Sequence, residues 1–212
     1  MVIIINQIKA NLNAKFEVLI DDALVYLGES SPVSSVFANS LMDSNGALLL
    51  KTQFHVRTNM KNTIPFKWIW TMKLSKVCNI LNDKGKTVAT FAHVRKGFLD
   101  LSYSVRTDDV NLRLYSIGKG SLRYVLVFLN NEQIGQICKE NIVKNNLDKY
   151  VLYLLDQHNE LAPLLSLFTI YFDSYNYARR GEVVAGKQEK SWEWSYHKYN
   201  KLYDPEWIQI HF

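Results

Sequence analysis

The 212 residues carry 25 Lys and Arg against 20 Asp and Glu, a formal net charge of +5 with a pI near 9.0, and 48% of them are hydrophobic. A chain of this size buries roughly 70% of its unfolded surface, enough for one sizeable domain or one domain plus an appendage without covalent staples. Two cysteines, Cys78 and Cys138, exclude a disulfide framework and fit a reducing, cytoplasmic compartment, while the mild, dispersed positive charge permits an anionic partner without demanding one and predicts no nucleic-acid partner.

The N-terminus opens on a four-residue apolar run, Val2–Ile5, with no basic residue before it, so no secretory leader is expected. From there to about residue 156 strand signals dominate. Phe16–Ile20, Ala47–Val56, Phe66–Leu74 and Leu122–Leu129 are rich in β-branched and aromatic residues. Asp43-Ser-Asn-Gly46, Asn82-Asp-Lys-Gly85 and Asn130-Asn-Glu132 fall between such runs. In each, Asn, Asp or Gly supplies the left-handed backbone that a tight hairpin needs. Strands joined by short hairpins are antiparallel neighbours, and no long helical pattern alternates with them, which argues against a parallel α/β sheet. The spacing predicts a meander that closes on itself and so removes its edges.

Leu161–Tyr177, LAPLLSLFTIYFDSYNY, follows the strands and shows no polar stripe until Asp173. A surface helix would show one at a period of 3.6 residues, so this helix must be enclosed. A bilayer span needs about 20 apolar residues, and Asp173, Asn176, Arg179 and Arg180 cut this run short. Asn159 is the expected N-cap, Pro163 suits the first turn, and Arg179, Arg180 and Gly181 form the expected close. A wide barrel threaded by its own C-terminal helix buries every face of that segment.

The tail, SWEWSYHKYNKLYDPEWIQIHF, is dense in aromatics, with Trp192, Trp194 and Tyr196 alternating as on a strand. Its rings are expected to pack on the parent barrel or on a second subunit, which makes Trp192, Trp194, Tyr199 and Trp207 the candidate interaction residues. A second candidate site is basic. A hairpin turning at Asn82–Gly85 brings Lys73 alongside Val94 and Arg95, so that Lys73, Lys76, Arg95 and Lys96 gather at its open end. An anionic lipid headgroup would suit that cluster, as would the plain role of charges guarding a strand end.

Reaction chemistry is not signalled. Gly181–Lys187 fits the start of a phosphate-loop pattern, but Gln188 replaces the hydroxyl that would hold Mg²⁺ and a helix, not a strand, precedes it. Gly118-Lys-Gly120-Ser121 reads as a hairpin turn. The five histidines show no metal-ligand spacing. No catalytic residues, metal or cofactor are expected.

Four segments carry a family resemblance: LMDSNGALLLKTQ, VCNILNDKGKTVATFAHV, YVLVFLNNEQIGQI and the closing helix LLSLFTIYFDSYNY with its single acid, Asp173. Over residues 10–178 the chain resembles the tubby C-terminal, LURP-one and phospholipid-scramblase superfamily. The resemblance implies a closed antiparallel barrel of about twelve strands around a central apolar helix, and interaction with membrane phospholipids or phosphoinositides. The expected organisation is a barrel with its helix over 1–180 and an aromatic extension over 181–212. The leading expectation for function is non-catalytic binding to anionic headgroups at a membrane surface. Its rival is a protein-interaction or homo-oligomeric scaffold using the aromatic tail, and a third reading is an enzyme with a cleft at the barrel's end.

Overall fold

Twelve strands of this chain pair antiparallel into one closed barrel. The computed structural model describes residues 1–10, 13–33, 36–54, 74–95, 101–177, 183–190 and 197–212; of 33, 36, 74–76, 95, 101, 197 and 198 it describes the backbone only. The strands are β1 (Val2–Lys9), β2 (Ala14–Ile20), β3 (Ala23–Val33), β4 (Val36–Asp43), β5 (Leu48–Phe54), β6 (Leu74–Asn82), β7 (Thr87–Arg95), β8 (Leu101–Arg106), β9 (Asn111–Lys119), β10 (Leu122–Leu129), β11 (Glu132–Lys139), β12 (Ile142–Lys144) and β13 (Lys149–Leu154). The order is a meander from β1 to β11. The short β12 leaves the wall, and β13 closes it by pairing with both β11 and β1.

Local chemistry explains the meander. Asp43 accepts hydrogen bonds from the Asn45 and Ala47 N–H groups at 2.9 and 2.8 Å, and Gly46 takes the left-handed conformation at φ 85°. Asn82 repeats this device with the N–H groups of Lys84 and Lys86, and Gly85 takes φ 74°. Asn130 and Asn131 are both left-handed, at φ 50° and 69°, which matches the twist of a two-residue hairpin. Asp21 and Asp22 do the same between β2 and β3, a turn for which glycine was not required because short Asp side chains tolerate that region. Of the expected Phe66–Leu74 run, residues 66–73 lie outside the described residues.

A 3₁₀ turn at Asp156–Leu161 delivers the chain to helix α1 (Ala162–Tyr177), which is enclosed by the barrel. Asn159 falls inside the 3₁₀ turn instead of capping α1; Pro163 sits in the helix's first turn, where its missing N–H costs nothing. Twelve of the sixteen residues of α1 are buried, and its exposed residues, Tyr175 and Asn176, are confined to the last turn. Leu165, Phe168 and Ile170 are completely inaccessible, and Phe172 nearly so. Phe168 meets Phe91 and Tyr103 edge-on at 5.6 and 5.4 Å between ring centres. On β3, Gly28 lets α1 approach closely: a Cβ there would lie 2.3 Å from Ile170 Cδ1, so that side chain would have to shift. The fully buried side chains are each worth roughly 1.5–3 kcal/mol relative to exposure, so this interior is the main source of stability.

Beyond α1 the chain returns along the outside. Strand β14 (Gln188–Lys190) pairs with β12 in a separate two-stranded sheet, and a 3₁₀ segment, His197–Leu202, leads to the terminal helix α2 (Trp207–His211). No helix among the described residues is long and apolar enough to cross a membrane.

Candidate functional site

The interior holds polar groups as well as rings, and several are matched to one another. His93 Nε2 lies 2.7 Å from the Tyr171 hydroxyl, with the rings of Tyr103 and Tyr175 against the imidazole. Burial pushes the Tyr171 hydroxyl well above its ordinary range and raises that of Tyr103 to about 12. The Tyr150 hydroxyl donates to Asp173 Oδ1 at 2.7 Å, so the one acid of α1 is satisfied by a hydroxyl near the helix's C-terminal end. Beside it, Lys139 and Asp148 form an ion pair of 2.7 Å, both side chains almost completely buried, and the ammonium also lies over the Tyr177 ring. At the residue after Asp173 in α1, the Ser30 hydroxyl donates to Ser174, which lies 2.6 Å from both Asn39 Oδ1 and the Ile170 carbonyl. Each group is enclosed and engaged. These clusters orient the helix within the barrel.

Space for a ligand lies on the outer wall. Alternation along β8–β11 turns Ser102, Ser104, Tyr115, Ile117, Tyr124, Leu126, Phe128, Gln136 and Cys138 outward. Ser102, Ser104, Ile117, Leu126 and Gln136 are nevertheless buried, which requires a cover. The C-terminal segment crosses this face. Tyr199 meets Tyr115 at 4.7 Å, Tyr203 stacks on Tyr124 at 4.7 Å, and Phe212 meets Tyr153 at 5.3 Å. Lys119 lies over the Tyr203 ring, and Trp207 is buried. The aromatic segment is therefore seated on its own barrel, anchored by rings that alternate with exposed Lys201, Asp204 and Glu206.

Two concavities open where the segment meets the wall. One, of about 160 Å³, is lined by Ser104, Arg106, Asn111, Arg113, Tyr115 and Tyr199 among others. The second, of about 300 Å³, shares Asn111, Arg113 and Tyr115 with it and adds Phe128, Asn130, Asn131 and Leu202. The strand register explains the first: Ser104 stands opposite Arg113, and Arg106 opposite Asn111. The floor is made of buried serines and the rim of exposed guanidiniums.

The expected site residues divide. Tyr199 and Trp207 are in the docked segment, whereas Trp192 and Trp194 lie outside the described residues. Of the basic cluster, Lys73 and Lys96 lie outside them too; Lys76 and Arg95 are placed by backbone, opposite His93 and Leu101. Neither Arg106 nor Arg113 stood out in the sequence, because nothing in their spacing signals that Tyr199 will close over them. No group of three or more metal-ligating side chains occurs among the described residues. Comparison of the chain with protein-family models, with curated proteins and with solved structures found no match.

Proposed function

We propose that the protein is a binding scaffold that works through its outer wall and the aromatic C-terminal segment, and that it is related to the tubby and LURP-one barrels, whose expected architecture it shares. One observation carries the functional reading. The barrel's interior is filled by its own helix, with Leu165, Phe168 and Ile170 inaccessible, while the aromatic segment lies on the outside and leaves Ile210 66% and Phe212 43% exposed. Large aromatic and aliphatic side chains at a rim of buried anchors are what a protein surface engages. The partner class favoured is a protein, either a second copy or another chain.

Sedimentation velocity over a range of concentrations tests the self-association arm, with the full chain compared with Ile210→Asp and with a chain ending at residue 190. Reversible association that Ile210→Asp removes supports the scaffold reading. The truncated chain, having lost the cover over Leu126 and Ile117, is expected to aggregate or to bind hydrophobic dye. A truncated chain as stable, as soluble and of the same mass as the full one removes the segment's structural role. Headgroup binding at Lys73, Lys76, Arg95 and Lys96 is the second reading, supported by the pairing that puts Lys76 and Arg95 at the same end of β6 and β7. Salt-sensitive co-sedimentation with anionic but not neutral vesicles, lost on charge reversal at Lys73 and Arg95, selects that reading over the scaffold.

A further inference from the structure

We infer that the paired concavities under Tyr199 form a binding site for a small phosphorylated molecule that carries a ring, such as a mononucleotide. The donor set decides the anionic half. Arg106 and Arg113 are diagonal neighbours across β8 and β9, and both line the smaller cavity. Neither guanidinium makes an ion pair or hydrogen bond with any described residue, and Asp108 and Asp109 in the adjoining turn pair with neither. The Ser104 hydroxyl donates to Asn111 Oδ1 at 3.2 Å, which leaves the Asn111 amide hydrogens as donors at the same rim. Two guanidiniums and an amide N–H₂, with no carboxylate among the described lining residues, make a donor-rich rim. An oxyanion relieves the repulsion between the two cations and accepts from their planar forks, which match phosphate geometry.

The adjoining cavity sets the other half. It shares Asn111, Arg113 and Tyr115 with the first and is completed by Phe128, which stands opposite Arg113, and by Asn130, Asn131 and Leu202. That is a mixed slot, with Tyr115, Phe128 and Leu202 offering apolar surface and three amide side chains, Asn111, Asn130 and Asn131, offering polar edges, suited to a flat heteroatom-bearing ring whose edge hydrogen-bonds while its face rests on Phe128 or Tyr115. The smaller volume, about 160 Å³, holds a phosphate; the larger, about 300 Å³, holds a sugar or base. Tyr199 and Leu202 belong to the C-terminal segment, so an occupied site ties that segment to the wall.

Titration calorimetry on the full chain tests this with inorganic phosphate, adenosine and adenosine 5′-monophosphate as probes. The monophosphate is expected to bind more tightly than phosphate or adenosine alone. Arg106→Gln and Arg113→Gln should each weaken it about tenfold or more, the loss of one charge-assisted bidentate contact. Phe128→Ala, which alters only the larger cavity, should weaken the monophosphate and leave inorganic phosphate unchanged, while Lys84→Ala, in the β6–β7 turn, should change nothing. Thermal melts of the variants establish that each is folded; both arginines are exposed, so their substitution leaves the core intact. Absence of saturable binding of phosphate and of the monophosphate overturns the inference, as does binding that both arginine variants retain. Vesicles containing a phosphorylated lipid that bind through Arg106 and Arg113, when the free probes do not, overturn it in favour of a membrane headgroup.

Discussion

Tyr150 and Asp173 show how a buried polar contact helps to fix α1 inside the barrel. A buried carboxylate without a donor is among the costliest features a core can contain, and here a phenol hydroxyl on β13 donates to it at 2.7 Å. Tyr150→Phe keeps the ring and its packing but withdraws that donor. It is expected to destabilise the fold by about 1–3 kcal/mol, read from denaturant midpoints at unchanged slope. Ser166 is the converse. Its hydroxyl is fully buried and has no hydrogen-bond partner among the described residues, so it bears a desolvation cost with no return. Ser166→Ala is expected to be neutral or stabilising by about 1 kcal/mol, and a loss of stability comparable to that of Tyr150→Phe would count against this account.

Among the elements, α1 depends on shape more than on polarity. Leu165 is completely enclosed, and the barrel wall around it is tied by its own ladder and cannot collapse into a void. Leu165→Ala is expected to cost about 2–5 kcal/mol, the range in which transfer and cavity terms add, measured by equilibrium unfolding. The hairpins and this helix were legible in the sequence because their signals are local: Asp43, Asn82 and Asn130 act on backbone groups within a few residues, and the apolar run of α1 is continuous. The seat of the C-terminal segment was only half legible. Its aromatic content predicted docking, but Tyr124 with Tyr203 and Tyr115 with Tyr199 are pairings across most of a hundred residues that no spacing announces. The α2 helix and the β12–β14 sheet went unread for a related reason: both are too short to show a period. The basic rim is the hardest case, since Arg106 and Arg113 look like ordinary exposed charges until strand register sets them together under Tyr199.

For the whole molecule, buried acids set the response to pH. Burial raises the Cys78 thiol from 9.0 to about 12 and the Tyr103 hydroxyl from 10.0 to about 12, and lifts Tyr150 and Tyr171 well above 10.0. Each of these groups gives up its proton more easily in the unfolded chain. Once the pH passes the unfolded values, the unfolded chain binds fewer protons than the folded one, and stability declines as pH rises. The decline is expected to begin between pH 9 and 10 and to continue to about 12. Far-ultraviolet circular dichroism should therefore change together with tyrosinate absorbance; tyrosine ionisation well in advance of unfolding would contradict the enclosed positions of these rings. The pairing of β1 with β13 has a consequence in time. The barrel's seam joins Val2–Asn6 to Lys149–Tyr153, yet the helix that fills the lumen comes later in the chain. A barrel already shut would exclude it. The helix is expected to reach the open, curled sheet first and the seam to form afterwards, leaving β1 and β13 as edges while the rest condenses. Closure of such long-range pairing is slow. Truncating Ile3 or Leu152 at the seam should accelerate unfolding while leaving the folding rate nearly unchanged, whereas truncating Ile170, packed on β3, should slow folding. The opposite pattern would mean that the barrel shuts before its plug arrives.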